Sequence, residues 1–281
     1  MLRQRILTAI VLLLIVAAAV TAPTPWPMLA LLGLMIGCAL WEWLRLVIDS
    51  AAVRWGGAVL AVLVLVPLSR LLSDGQPTLE AVFASYLLPL AVLFWLTLAP
   101  VSVVRAQVPD ACRPGMLALL GVLTLAATWY ALAWVFLRHG AAALISLWAL
   151  IWAADIAAYF TGRSLGRHKL APRVSPGKTL EGAAGGILAA TAWLVATAMW
   201  WPDSFGALLL ARMGWVGLIV AGVMLAAWSI LGDLFESLLK RRAGVKDSSQ
   251  LLPGHGGVYD RIDAVLPVAP AAVLLLTLAA R

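Results

Sequence analysis

The chain has 281 residues, a formal net charge of +7 and a mean hydropathy of +0.99, with 63% hydrophobic and 12% charged residues. Soluble domains carry about twice this proportion of charged residues, so the composition excludes a soluble enzyme and indicates a protein embedded in a membrane. The basic residues lie between apolar stretches rather than in one arm or domain, which argues against nucleic acid as a partner. We expect an all-α polytopic membrane protein.

Apolar runs long enough to cross a bilayer recur along the whole chain. A hydrocarbon core about 30 Å thick requires roughly 20 helical residues. The first run follows Arg3 and Arg5 and imitates a secretory signal, but the many runs after it favour an uncleaved first helix. The pattern predicts nine transmembrane helices, near residues 5–22, 26–45, 55–73, 80–104, 115–137, 141–162, 180–201, 213–240 and 263–280.

The lysines and arginines predict the orientation, because positively charged loops stay in the cytoplasm during insertion. With a cytoplasmic N-terminus, only Arg70, Arg138, Arg212 and Arg281 of the 20 basic residues fall on the outer side. This asymmetry favours the arrangement with nine spans.

The polar connections are concentrated in the second half of the chain. Two long segments, residues 162–179 and 240–263, are predicted to face the cytoplasm. We therefore predict that residues 1–137 are mainly scaffold. Residues 138–281 would then form the catalytic region, with an active site in a polar cavity open to the cytoplasm.

The helix predicted for residues 213–240 ends in acidic, hydroxyl and basic side chains. Asp233, Glu236, Ser237 and Lys240 recur at i, i+3, i+4 and i+7, so they share one helical face. Carboxylates within an apolar span are costly unless a cation or metal pairs with them, and by default they mark a functional site. The alternative is a structural ion pair between Glu236 and Lys240.

A glycine-rich turn follows this helix. Lys246 and Asp247 precede Pro253-Gly254-His255-Gly256-Gly257, in which glycines let backbone N–H groups approach an anion closely. Asp260-Arg261-Ile262-Asp263 then places two carboxylates beside a cation, and oxygen ligands of this kind suit Mg²⁺ held together with substrate phosphates. His255 is equally compatible with a structural hydrogen bond.

The earlier polar segment is strongly basic. Asp155, with Tyr159 one turn later, precedes the segment. Its basic residues are Arg163, Arg167, Lys169 and Arg173, and the run Ser175-Pro176-Gly177-Lys178-Thr179-Leu180-Glu181-Gly182 follows them. Gly-Lys-Thr at a helix start suits a polyanion, but Pro172 stands where a Walker A loop requires glycine. Attraction to lipid headgroups explains the bases equally well. Thr179 and Glu181 are also typical of helix N-terminal capping, and Gly182, Gly185 and Gly186 predict close helix packing.

These motifs together resemble one family. Ser237-Leu238-Leu239-Lys240-Arg241, then Lys246-Asp247, then Pro253 to Asp263 resemble the signature of the phosphatidate cytidylyltransferases, or CDP-diacylglycerol synthases, and Asp155 and residues 175–182 resemble the upstream blocks of that family. The resemblance implies a homodimeric enzyme of a bacterial-type inner membrane that joins CTP to phosphatidic acid and releases pyrophosphate. It also implies a cavity partly open to lipid, with divalent metal near Asp233 and Asp260.

The chemistry of this reaction gives the predicted roles. The lipid phosphate has a second pKa near 6, so it is an anionic nucleophile near neutral pH and needs no general base. Cations should dominate the site, with Mg²⁺, as one ion or two, neutralising phosphate charge. We predict Asp233 and Asp260 as metal ligands and catalytic residues, together with Lys246 and Arg261. The predicted substrate-binding residues are Lys178, Ser237, Lys240, Arg241, His255, Gly256 and Gly257. Further candidates are Asp155, Tyr159, Ser175, Glu181, Glu236, Asp247 and Asp263, of which Asp247 and Asp263 either bind metal or orient the cations.

Two other functions fit parts of the pattern. A CTP-dependent polyprenol or lipid kinase would use the same nucleotide, and the residues alone do not separate it from a cytidylyltransferase. An anionic-solute transporter would need a charged path to both faces, whereas the predicted outer loops carry few ionisable groups.

Cys38 and Cys112 lack CxxC spacing, which argues against a disulfide framework or a zinc site.

Overall fold

The computed structural model describes residues 2–109 and 112–278. Residues 279 and 280 of the last predicted helix, Arg281, and the side chains of Arg3 and Arg5 lie outside this description. The elements in chain order are α1 Leu2–Val20, α2 Trp26–Val47, α3 Ala51–Ser73, α4 Pro77–Val82, a π-helical turn Phe83–Leu87, α5 Leu88–Leu96, α6 Leu98–Arg105, α7 Pro114–Leu165, β1 Lys169–Ala171, β2 Ser175–Thr179, α8 Leu180–Trp200, α9 Phe205–Arg242, α10 Tyr259–Ile262 and α11 Val265–Leu278.

The long helices have the length and apolarity of membrane spans. α3 shows how such a helix meets lipid, since Leu60 and Leu63 on it are 61% and 65% exposed and a bilayer accepts apolar side chains on a helix whose backbone bonds are all internal. The protein is an integral membrane protein. Within the described residues, six helical segments meet the length and hydropathy of a span: Trp26–Val47, Ala51–Ser73, Pro77–Arg105, Pro114–Leu165, Leu180–Trp200 and Phe205–Arg242.

Two of these segments are each divided by a glycine. Gly140 (φ +80°) interrupts α7, and Gly214 (φ +65°) interrupts α9. Both residues adopt a backbone conformation that glycine reaches without steric cost. The break in α7 separates the helices predicted for residues 115–137 and 141–162, and the break in α9 falls at the predicted start of the 213–240 helix.

The structure departs from the predicted elements before Gly214. The predicted helices leave residues 202–212 as a loop, whereas α9 begins at Phe205. Ser204 caps this helix by accepting a hydrogen bond from the Ala207 N–H (3.1 Å). Phe205 and Leu209 are fully buried, so packing supports the extra turns.

The segment before β2 also differs from prediction. In place of a loop, β1 and β2 form an antiparallel hairpin in which Lys169 lies opposite Thr179 and Ala171 opposite Ser175. Prolines and glycine in this run hide the alternation that predicts a strand. The helix predicted for residues 80–104 is divided too, by the π-helical turn and by a break at Thr97.

Aromatic side chains fix α2 against the helices of the second half. The Phe235 ring centroid lies 5.9 Å from that of Trp43 and 5.6 Å from that of Trp95, and Trp43 lies 5.3 Å from Tyr259. All four are buried. Because α9 and α10 both contact Trp43, the N-terminal half helps to place the residues that close the site.

Candidate active site

A cavity of about 670 Å³ lies between α7, the β hairpin, α8, α9 and the residues that follow α10. The predicted close packing of α8 is confirmed, since a Cβ on Gly182 or Gly186 would lie 2.8 Å from a carbonyl oxygen of α7. The ionisable residues that line the cavity are Asp155, Tyr159, Arg163, Lys178, Asp233, Asp260, Arg261 and Asp263.

The polar end of α9 presents the predicted face to its neighbours. Ser237 donates a hydrogen bond to Asp233 (3.4 Å), and Lys240 pairs with Glu236 (2.7 Å). The alternative of a Glu236–Lys240 ion pair is thus present in the structure. Lys178, from β2, lies 2.6 Å from Asp233, so the hairpin is joined to α9 by a charge pair at the cavity wall.

Three carboxylates meet beside this wall. Oxygens of Asp233, Glu236 and Asp263 lie within 4.8 Å of one another, and we call these three residues the acidic cluster. Asp263 comes this near because Gly232 has no side chain, since a Cβ there would lie 2.4 Å from the Asp263 carbonyl oxygen. Oε1 of Glu236 is buried without a hydrogen-bond partner among the described residues. Carboxylates in such proximity disfavour one another's ionised form, and the set fits a divalent cation that takes oxygen ligands.

Asp260 lies outside the acidic cluster and is engaged by donors. Its carboxylate accepts hydrogen bonds from the Gly257 N–H (2.7 Å), the Ser248 hydroxyl (3.0 Å) and the Lys240 ammonium (2.8 Å). Burial alone would raise the pKa of Asp260, but the hydrogen bonds from Lys240 and the Gly257 N–H outweigh burial and hold the pKa well below its usual range. Asp260 is therefore ionised and fixes Lys240 beside the acidic cluster.

The ionisable side chains that line the cavity include slightly more acids than bases. Cations were expected to dominate the site, yet among the described lining residues aspartates outnumber lysine and arginine. The expected cations include Mg²⁺, so the dominance of cations stays a prediction. The lining acids are Asp155, Asp233, Asp260 and Asp263, and the lining bases are Arg163, Lys178 and Arg261.

Three predicted residues face other surfaces. Lys246 and Asp247 line a separate cavity beside Arg45 of α2. Arg241 lines another cavity with Arg173 and donates a hydrogen bond to the Val174 carbonyl oxygen. The structure does not bring these side chains to the cavity of Asp233.

His255 and Arg261 meet through the backbone. Arg261 donates two hydrogen bonds to the His255 carbonyl oxygen (3.1 and 2.5 Å), and this contact holds the glycine turn against α10. The His255 ring does not line the cavity of Asp233.

Glu181 and Thr179 organise the start of α8. Thr179 accepts a hydrogen bond from the Gly182 N–H (3.1 Å), which confirms the predicted cap. Glu181 lies 2.7 Å from the His168 ring and accepts hydrogen bonds from the N–H groups of Arg167 and His168. It therefore closes the hairpin, and Ser175 belongs to the strand pairing of the same hairpin.

Glu42 is a buried acid of α2 that the sequence reasoning missed. Its side chain has no exposure to solvent, and its carboxylate accepts hydrogen bonds from Ser249, Val258 and Tyr259. An acid inside the predicted 26–45 span carried the same signal that marked Asp233. Glu42 stands alone in α2, because no residue near it in the sequence belongs to a recognisable motif.

Gly257 packs tightly against Ser248 and Glu42. A Cβ there would lie 2.0 Å from the Ser248 hydroxyl oxygen and 2.5 Å from Oε1 of Glu42. We expect Gly257→Ala to lower the free energy of unfolding by about 1–3 kcal/mol, because overpacking forces the surrounding groups apart. Thermal unfolding in detergent measures the change. Gly177→Ala, where no atom lies within 4 Å of an added Cβ, is the matched control, and equal stability of the two variants would contradict the expectation.

Comparison of the sequence with known proteins identifies its family. The model of the cytidylyltransferase family matches residues 3–279. The chain is 39% identical over 287 residues to the phosphatidate cytidylyltransferase of Pseudomonas aeruginosa, with 98% of this chain and 97% of the relative covered. It is 36% identical to the protein of the same name from Haemophilus influenzae, with 96% of each chain covered. The chain belongs to the cytidylyltransferase family.

Proposed function

We propose that this protein transfers the cytidylyl group of CTP to phosphatidic acid, giving CDP-diacylglycerol and pyrophosphate for phospholipid synthesis. The observation that carries the proposal is the polar cavity in which Lys178 pairs with Asp233 beside the acidic cluster. Relatives named phosphatidate cytidylyltransferase support the choice of substrates.

The acidic cluster, Asp233, Glu236 and Asp263, supplies the carboxylates for Mg²⁺ in this proposal. A bound ion supplies positive charge that neutralises the phosphates and the departing pyrophosphate. Asp155 lines the same cavity and is available to a second ion. Asp260 stays a candidate ligand because it also lines the cavity, although Lys240, Ser248 and Gly257 engage its oxygens.

The residues of the chain bind and orient the two substrates. Lys178 and Arg261 line the cavity and bind phosphate oxygens, and the pair with Asp233 holds the Lys178 ammonium in place beforehand. An oxygen of the lipid phosphate forms a bond to the α-phosphorus as the bond to the pyrophosphate oxygen breaks. The lipid phosphate is anionic near neutral pH, so no residue has to remove a proton from it.

The setting of the reaction follows the predicted topology. We propose nine spans with the N-terminus and the cavity on the cytoplasmic side of a bacterial-type inner membrane, in a homodimer. Residues 138–281 would carry the catalytic groups, with residues 1–137 supporting them. Direct contacts of Arg241, Lys246 and His255 with CTP stay predictions, since none of these residues lines the cavity of Asp233.

The position of a radioactive label tests the reaction and the need for metal. Purified protein is supplied with phosphatidic acid, Mg²⁺ and CTP labelled at either the α- or the γ-phosphorus. We expect the α-label in the lipid extract and the γ-label in released pyrophosphate, because cytidylyl transfer breaks the α–β linkage. EDTA should abolish labelling and added Mg²⁺ should restore it.

The alternatives give different results in the same assay. With a polyprenol supplied in place of phosphatidic acid, transfer of the γ-label to lipid would identify a kinase. The absence of any lipid label, with protein that unfolds cooperatively on heating, would overturn the proposed function.

A further inference from the structure

Glu42 gives α2 a specific contact with the residues that close the cavity. Its Oε1 accepts hydrogen bonds from the Val258 N–H (3.0 Å) and from the Ser249 hydroxyl, and Oε2 accepts one from the Tyr259 N–H. These N–H groups begin α10, so Glu42 caps that short helix from another part of the chain. The carboxylate is fully buried and has three donors around it.

A second carboxylate, that of Asp260, binds the same stretch of chain. The α9–α10 loop, residues 243–258, is bound by Asp260 at Ser248 and Gly257, the sequence neighbours of two residues that Glu42 binds. Arg45, one turn beyond Glu42, donates a hydrogen bond to the Ser248 carbonyl oxygen (2.9 Å). Both arms of the loop are thus fixed between α2 and Asp260.

We propose that Glu42 is a positioning residue for the reaction, acting through the α9–α10 loop on Asp260 and Lys240. Lys240 lies 2.8 Å from Asp260 and 2.7 Å from Glu236. The contacts therefore run without a gap from Glu42 to the acidic cluster, while Glu42 itself lines no part of the cavity. This inference rests on the proposed function.

The chemistry of burial supports a specific role. Taking a carboxylate out of water is costly even when donors satisfy it, and well-packed apolar residues of similar volume often stabilise a protein at least as well. Hydrogen bonds of fixed direction do what an apolar contact cannot, because they define where the loop lies. Supporting residues of this kind commonly change activity or metal affinity by about 10–100-fold when replaced.

Glu42→Gln provides the test, because it keeps the size of the side chain and replaces one acceptor oxygen by a donor. We expect kcat to fall about tenfold, the KM for CTP to change little, and the Mg²⁺ concentration for half-maximal rate to rise. Without metal or substrate, amide hydrogen exchange should become faster over residues 248–259 only, with the melting temperature near that of the wild type.

Two further variants keep the result interpretable. Ser249→Ala removes one of the three donors and should give a smaller change in the same direction, and it replaces Glu42→Gln as the test if that variant does not fold. Glu80→Gln, which breaks the ion pair with Arg138, should leave kcat and the Mg²⁺ dependence unchanged.

The outcomes separate this inference from the proposed function. A wild-type protein without lipid labelling would overturn the proposed function. An active wild type together with unchanged kinetics in both Glu42→Gln and Ser249→Ala would overturn the positioning role. Faster exchange throughout α2 and α9, with loss of activity only in proportion to loss of folded protein, would assign Glu42 to stability alone and overturn it too.

Discussion

Replacing Asp233 by asparagine is expected to lower the rate of lipid labelling about a thousandfold, the range seen when one electrostatic group of an active site is removed. Asp233 pairs with Lys178 at 2.6 Å and shares the acidic cluster with Glu236 and Asp263. Asparagine keeps the shape but not the charge, so it loosens Lys178 and weakens metal binding together. Initial rates at several Mg²⁺ concentrations measure the effect.

The folded state should tolerate this change. The side chains of Asp233 and Lys178 are 33% and 27% exposed, so water compensates the lost pair in part. Asp74→Asn is the matched control, because Asp74 forms an exposed pair with Arg70 (3.0 Å) and its loss should leave the rate unchanged. A wild-type rate in Asp233→Asn at every Mg²⁺ concentration would remove Asp233 from the mechanism.

The helices could be predicted because the bilayer imposes their length. The breaks in α7 and α9 fall at Gly140 and Gly214, where composition alone indicates a boundary. The hairpin at residues 169–179 could not be predicted in this way, since prolines and a glycine hide the alternation typical of a strand. Glu181 of α8 also binds the N–H groups of Arg167 and His168, just before the hairpin. Local periodicity carries no information about a contact of this kind.

In the site too, spacing within one helix could be predicted, whereas contacts between residues distant in sequence could not. Spacing on one helix correctly placed Asp233, Ser237 and Lys240 on one face. Asp263 approaches that face because its backbone packs directly against Gly232 of α9. This contact joins residues distant in sequence, so no local pattern indicates it. Arg241 follows Lys240 directly in α9, so its side chain points away from that face and lines another cavity.

The lining aspartates fit the metal-assisted transfer that we propose. The aspartates outnumber the lining bases Arg163, Lys178 and Arg261, so in this proposal a bound metal ion would favour the binding of CTP. Metal and nucleotide are then expected to bind with positive coupling.

Asp260→Asn should lower the rate about a hundredfold, within the range for a residue that supports a metal site, and it should also destabilise the protein. The carboxylate is 7% exposed and pairs with Lys240, and removing one partner of a buried pair costs about 3–5 kcal/mol. In either orientation the asparagine NH2 would face a donor, namely the Lys240 ammonium at the Oδ1 position or the Gly257 N–H and the Ser248 hydroxyl at the Oδ2 position.

A double variant separates the two roles open to Asp260. If Asp260 acts by holding Lys240, the two residues work as a unit, and Asp260→Asn with Lys240→Met should be about as slow as Asp260→Asn alone. Ser248→Ala, which leaves the Lys240 contact intact, serves as the control and should have a small effect. Losses that multiply in the double variant, with a higher Mg²⁺ requirement in Asp260→Asn alone, would instead make Asp260 a direct metal ligand. Lys240 bridges Asp260 to Glu236 at 2.8 and 2.7 Å, and on that geometry we expect the non-additive result.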